Sequence, residues 1–92
     1  MSFRVVWSQR IRNSLHVFSF RLMHDRGDTD ELELALAEIN SRLVRDPANE
    51  GESRSEAERV LIVHPLSVTF EVFEEAGVVL IHDLVFYPRT RM

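Results

Sequence analysis

The chain has 92 residues, a net charge of −4 and no cysteine. A chain of this size buries roughly 65% of its extended surface, enough for one two-layer core but not for an enclosed cavity, so a single domain over residues 1–92 is expected, with any site a shallow groove. Disulfides, thiolate metal sites and a cysteine nucleophile are excluded. No stretch approaches the run of about 18 apolar residues that a membrane span needs, and no charged-then-apolar leader opens the chain, so a cytoplasmic protein without membrane contact is expected.

The charge is unevenly distributed. The first 27 residues carry Arg4, Arg10, Arg12, Arg21 and Arg26 against Asp25 alone. Residues 28–87 hold every other carboxylate against Arg42, Arg45, Arg54 and Arg59, and the tail adds Arg89 and Arg91. Every basic residue is Arg. The planar guanidinium fork suits phosphate and carboxylate, and a GC-rich genome produces the same bias.

Residues 2–7 alternate, with Phe3, Val5 and Trp7 on one side and Arg4 and Val6 on the other, which predicts a first strand with one buried face. Ser8 offers a helix N-cap. Ile11, Leu15, Phe18 and Leu22 then recur at helical spacing, and Val17 and Phe20 widen the apolar surface, so this helix is expected to touch both a sheet and a second helix. Gly27 suits a left-handed cap. Asp28 and Glu31 have the spacing of a capping box, and the acids Asp28, Asp30, Glu31 and Glu33 suit the positive end of a helix dipole. Leu32, Ala35 or Leu36, Ile39 and Leu43 predict the buried stripe of helix two, which Pro47 ends. Residues 46–57 lack periodicity and read as a loop.

Residues 59–87 form three β-type runs, broken at His64-Pro65 and at Glu75-Ala76-Gly77. A three-residue hairpin loop with Gly77 left-handed would pair Glu74 with Val78, Phe70 with His82 and Val68 with Leu84. Leu66, Val68, Phe70, Val72, Leu80, His82, Leu84 and Phe86 would then face the helices. Ser67, Thr69, Glu71, Phe73, Val79, Ile81, Asp83, Val85 and Tyr87 would face outward. Pro65 at the second position of a tight turn would pair His64 with Ser67 and put His64 outside as well. A slip of one residue would exchange the faces of the last strand. The fold class expected is α+β: a β-α-α-β-β-β two-layer sandwich, two antiparallel helices on a mainly antiparallel four-stranded sheet.

That order, with Leu43, Asp46-Pro47 and Gly51 closing helix two, and with Pro65–Val72 and Val78–Val85 as paired strands, resembles the RelE/ParE superfamily of bacterial toxins. The resemblance covers nearly the whole chain. It implies an antitoxin partner, a role of the plasmid-stabilization kind, and either mRNA-interferase activity on the ribosome or inhibition of DNA gyrase by protein contact. A non-toxic binding module on the same fold is the third reading. It implies no cofactor and no metal, and is compatible with a monomer or a homodimer. The basic residue that the family carries on its third strand falls here on Ser67, and the Lys-rich second strand is reduced to Arg59 followed by Val60, Leu61 and Ile62.

Cleavage of RNA by its own 2′-hydroxyl needs a base, a cation for the phosphorane charge and an acid for the leaving oxygen. His64 is the candidate base or acid. Arg89 or Arg91 is the candidate cation, and Tyr87 could stack on a base or donate a proton. Arg59, Ser67 and Arg91 are candidates for contact with nucleic acid or a partner. The structural alternative makes His64 a turn residue, Tyr87 an edge cover, and Arg89 and Arg91 a solvated tail. His82 is expected in the core with one nitrogen satisfied, and Glu71 and Asp83 could form a carboxylate pair on the outer face.

Overall fold

The computed structural model describes residues 2–26, 30–55 and 57–87. In chain order the elements are strand β1 (Arg4–Trp7), helix α1 (Gln9–Arg26), helix α2 (Asp30–Arg45) and a 3₁₀ turn (Pro47–Asn49). Strands β2 (Glu52–Ser53), β3 (Glu58–Val63), β4 (Leu66–Phe73) and β5 (Val78–Phe86) follow. The four expected strands and a short fifth form one sheet of order β1-β5-β4-β3-β2, in which β1 runs parallel to β5 and the other pairs are antiparallel. The fifth strand is the short β2, which lies inside the segment expected to be loop. Gly27 and Asp28 lie outside the described residues, so neither the helix cap nor the capping box placed on them is addressed.

The local signals act as their chemistry predicts. The Ile11 amide donates to Ser8 Oγ at 3.3 Å, an N-cap that satisfies one orphan donor of α1. In α2 the acids Asp30, Glu31 and Glu33 occupy the first turn and Arg42 and Arg45 the last, both favourable to the helix dipole. Leu32, Ala35, Ile39 and Leu43 are the buried stripe, and Leu36 is half-buried. They meet Leu61, Leu66, Val68, Phe70, Val79, Ile81 and Leu84 from the sheet, with Ile11 from α1. Each fully buried side chain of this size contributes roughly 1.5–3 kcal/mol. Phe18 also reaches the sheet, stacking on Phe86 with ring centroids 5.0 Å apart.

Val17 and Phe20 depart from expectation. They are 50% and 73% exposed and point away from the core, whereas Ile11, Leu15 and Phe18 of the expected stripe pack on it; the side chain of Leu22 lies outside the described residues. Widening an apolar stripe beyond what the sheet can cover leaves the surplus in solvent.

The β4–β5 hairpin differs in register, and the difference has a definite cause. Its turn has four residues, Glu74–Gly77, and opens from the Phe73–Val78 pair, with Gly77 at φ 67°. Pairing therefore runs Val72–Val79 and Phe70–Ile81, one residue away from the expected register. A β-bulge opposite Thr69 and Phe70 then absorbs one extra residue, His82, and restores the expected pairs Val68–Leu84 and Leu66–Phe86. Upstream of the bulge the faces of β5 are exchanged. Val79 and Ile81 are fully buried, whereas Leu80 pairs with Glu71 on the outer face. His82 is not a core residue either: its ring reaches Glu58.

At the β3–β4 turn, Val63 pairs with Leu66 and Ile62 with Ser67. His64 is thus a turn residue beyond the ladder instead of the partner of Ser67, and Pro65 takes the third turn position.

Candidate functional site: the open face of the sheet

The helices cover one face of the sheet. The other face presents alternate residues of each strand: Glu58, Val60 and Ile62 from β3, Ser67, Thr69, Glu71 and Phe73 from β4, and Leu80, Asp83 and Val85 from β5. Residues two apart on a strand share a face, so this surface follows from register alone.

The sequence-predicted residues are distributed as follows. Tyr87 donates its amide to Pro65 O at 2.7 Å, which holds it beside the His64 turn, and its side chain is half exposed. Ser67 lies at the same end of the sheet, 9% exposed. The backbone therefore brings His64, Ser67 and Tyr87 to one end. The His64 ring, however, turns toward the helical layer, where Nδ1 stands 3.2 Å from Glu31 Oε1 of α2. Arg59 is engaged elsewhere. Its register partner is Phe70, on the helix-facing side, and its Nε and Nη2 donate to Glu50 O at 2.8 Å and Gly51 O at 3.1 Å. Arg89 and Arg91 lie outside the described residues.

Arg42 completes that second cluster. Its Nε donates to Glu50 Oε1 at 2.8 Å and its Nη1 to Glu38 Oε2 at 3.1 Å. The Glu50 hydrogen bond, ahead of the one to Glu38, pushes the Arg42 pKa up from its ordinary value against the opposing effect of desolvation. Arg42 and Arg59 together pin the segment between α2 and β3. Gly51 sits inside this clamp at φ 68°, its α-carbon so close to β3 that a Cβ would stand 2.1 Å from Val60 O.

On the open face the charged groups are mainly carboxylates. Glu58 and Glu71 are direct cross-strand partners, an arrangement in which like charges repel. His82 Nε2 approaches Glu58 Oε2 to 3.1 Å, yet this buried nitrogen has no aligned hydrogen bond. The bulge that delivers His82 is held from the edge by Arg10, whose Nη2 donates to His82 O at 2.6 Å. Asp83 accepts from the Leu84 amide at 3.0 Å. Among the described residues no cation pairs with Glu71 or Asp83, and no group of three or more His, Asp or Glu is arranged to hold a metal ion. Glu58 was missed in sequence, and His82 was expected in the core instead of beside Glu58. Glu58 begins the Glu58–Val60–Ile62 alternation and could have been found by extending that period back by two. The position of His82 could not, because it depends on the bulge.

Between α1 and α2 runs an open groove lined by Trp7, Arg12, Leu15, Leu36, Ala37 and Asn40. Val17, Phe20 and Met23 of α1 and Leu34 of α2 are exposed apolar side chains outside its lining.

The sequence matches no protein-family model and no curated protein. The fold does have a solved counterpart. It is similar to a chain in the crystal structure of the toxin–antitoxin complex RelBE2 from Mycobacterium tuberculosis, with a TM-score of 0.68 and 17% sequence identity, over 94% of this chain and 99% of that one. The chain has the RelE-like toxin fold.

Proposed function

We propose that the protein is the toxin component of a toxin–antitoxin pair, that its helical layer binds the antitoxin, and that it acts on its target by protein contact and not by cleaving RNA. The observation that carries this reading is the exposed apolar surface of the helical layer: the open groove lined in part by Trp7, Leu15 and Leu36, and the exposed Val17, Phe20 and Met23 of α1. Such a surface on a small domain fits a segment that orders as it binds. The solved chain of the same fold comes from a toxin–antitoxin complex, which supports the same reading.

Protein contact is favoured over RNA cleavage by the chemistry of the open face. Bound RNA brings a phosphate at every nucleotide, and Glu58, Glu71 and Asp83 would oppose it where cations are needed. His64 already faces a carboxylate on the opposite layer. A DNA gyrase-type target, engaged through a protein surface, needs none of the nuclease groups.

Two measurements test this. The protein should co-purify with the product of a small neighbouring reading frame, and Phe20→Glu should weaken that complex at least about tenfold without unfolding the free protein, since the ring is 73% exposed. In cells, the double variant Tyr87→Ala, Arg89→Ala should still arrest growth, and the purified protein should block supercoiling while leaving ribosome-bound mRNA intact. Loss of arrest in the double variant, together with mRNA cleavage by the parent, would establish the nuclease reading instead.

A further inference from the structure

We infer that the open face of the sheet is a docking surface for a protein segment that carries cationic and apolar side chains together. This rests on the protein-contact reading above and concerns the face opposite the helical layer.

Two independent features point to this occupant. The first is an apolar notch with a polar floor. Ser67 is only 9% exposed although it lies on the uncovered side of the central strand. Its register partners on either side are Ile62 and Val85, which are 63% and 43% exposed. The Ser67 hydroxyl has no hydrogen-bond partner among the described residues. A recessed hydroxyl without a protein partner, between two exposed apolar walls, suits a partner side chain that brings an acceptor or donor to it while covering Ile62 and Val85.

The second feature is the charge beside that notch. Glu58 and Glu71 face each other directly across β3 and β4, and Asp83 stands on β5 opposite Thr69, two residues along β4 from Glu71. Like charges at directly opposed positions repel, and although Glu58 Oε2 lies 3.1 Å from His82 Nε2, no cation among the described residues pairs with Glu71. That repulsion is relieved when a cation is brought between the two side chains. Interfaces gain orientation and partner choice from such complementarity. A strand or helix placing Arg or Lys over the carboxylates and an aliphatic group over Ile62, Ser67 and Val85 satisfies both features at once. A nucleic acid does not satisfy the second, because its phosphates would meet the carboxylates of Glu58, Glu71 and Asp83.

The probes are a short synthetic peptide alternating Arg and Leu, its Glu and Leu counterpart, and a single-stranded RNA. Each is titrated into isotope-labelled protein while backbone amide shifts are recorded. The Arg–Leu peptide should shift the Ile62, Ser67 and Val85 amides. The triple variant Glu58→Gln, Glu71→Gln, Asp83→Asn should bind it about tenfold more weakly. The matched triple variant Glu33→Gln, Glu74→Gln, Glu75→Gln should bind it as the parent does, and Ile62→Ala should weaken binding even in high salt. The inference is overturned if the acidic peptide or the RNA binds as well, or if the shifts fall in the α1–α2 groove. It is also overturned if the same amides shift with protein concentration alone, which would make this face a contact between two copies of the chain. The antitoxin reading has its own readout in Phe20→Glu, on the opposite layer, so either can fail while the other stands.

Discussion

Phe70→Ala should cost about 3–5 kcal/mol, the range for emptying a fully buried aromatic site. Phe70 is 0% exposed and heads the buried side chains by size. It lies on the central part of β4, paired with Ile81 on one side and Arg59 on the other, beneath the helices. A domain of this length is stable by about 5–14 kcal/mol, so the variant loses a large share of its margin. Its melting midpoint should fall by at least about 12 °C. Phe73→Ala, three residues on and 42% exposed on the open face, is the control and should shift the midpoint little. Equal shifts for the two would mean that the helices do not seal the Phe70 side of the sheet.

Gly51→Ala is the second large effect, and it acts through the backbone. Left-handed geometry at φ 68° costs an alanine about 1–2 kcal/mol by itself. The new Cβ would also stand 2.1 Å from Val60 O, so β3 or the clamp made by Arg42 and Arg59 must move. Gly77→Ala isolates the two contributions, because Gly77 has nearly the same φ, 67°, with nothing within 4 Å of the added carbon. In urea unfolding, Gly77→Ala should show the conformational cost alone and Gly51→Ala clearly more. Equal costs would show that β3 yields freely at Val60.

Sequence was a good guide wherever a single period governs an element. Ile11, Leu15 and Phe18, and Leu32, Ile39 and Leu43, point inward because helical spacing leaves them no alternative. Phe3, Val5 and Trp7 pack on the core as their alternation predicts. Sequence misled where a face depends on counting through a turn. One additional residue in the Glu74–Gly77 turn moved Val79 and Ile81 from the expected outer face to the core. The compensating residue at His82 then made the far end of the same strand agree with expectation. The exposure of Val17 and Phe20 was illegible for another reason: hydrophobicity says that a side chain would gain from burial, not that a surface is present to bury it.

The candidate site was legible in part. Glu71, Asp83 and Ser67 were placed on the open face by alternation together with an assumed hairpin register; the structure has them there, Asp83 because the bulge at His82 offsets the longer turn. That His64 faces Glu31 could not be read, since the contact joins a turn to the start of a helix 33 residues earlier. The engagement of Arg59 with main-chain carbonyls was hidden in the same way.

The bulge at His82 makes β5 a strand in two phases. Its first half takes its phase from the Glu74–Gly77 turn and its second half from the pairing of Val68 with Leu84. A change of turn length can therefore be absorbed at one joint before it reaches the end of the sheet where Ser67 and Val85 lie. Arg10 fastens that joint from outside the sheet, at His82 O. The docking end of the sheet and the hairpin end are free to vary independently, as two parts joined by a coupling that tolerates one residue of mismatch.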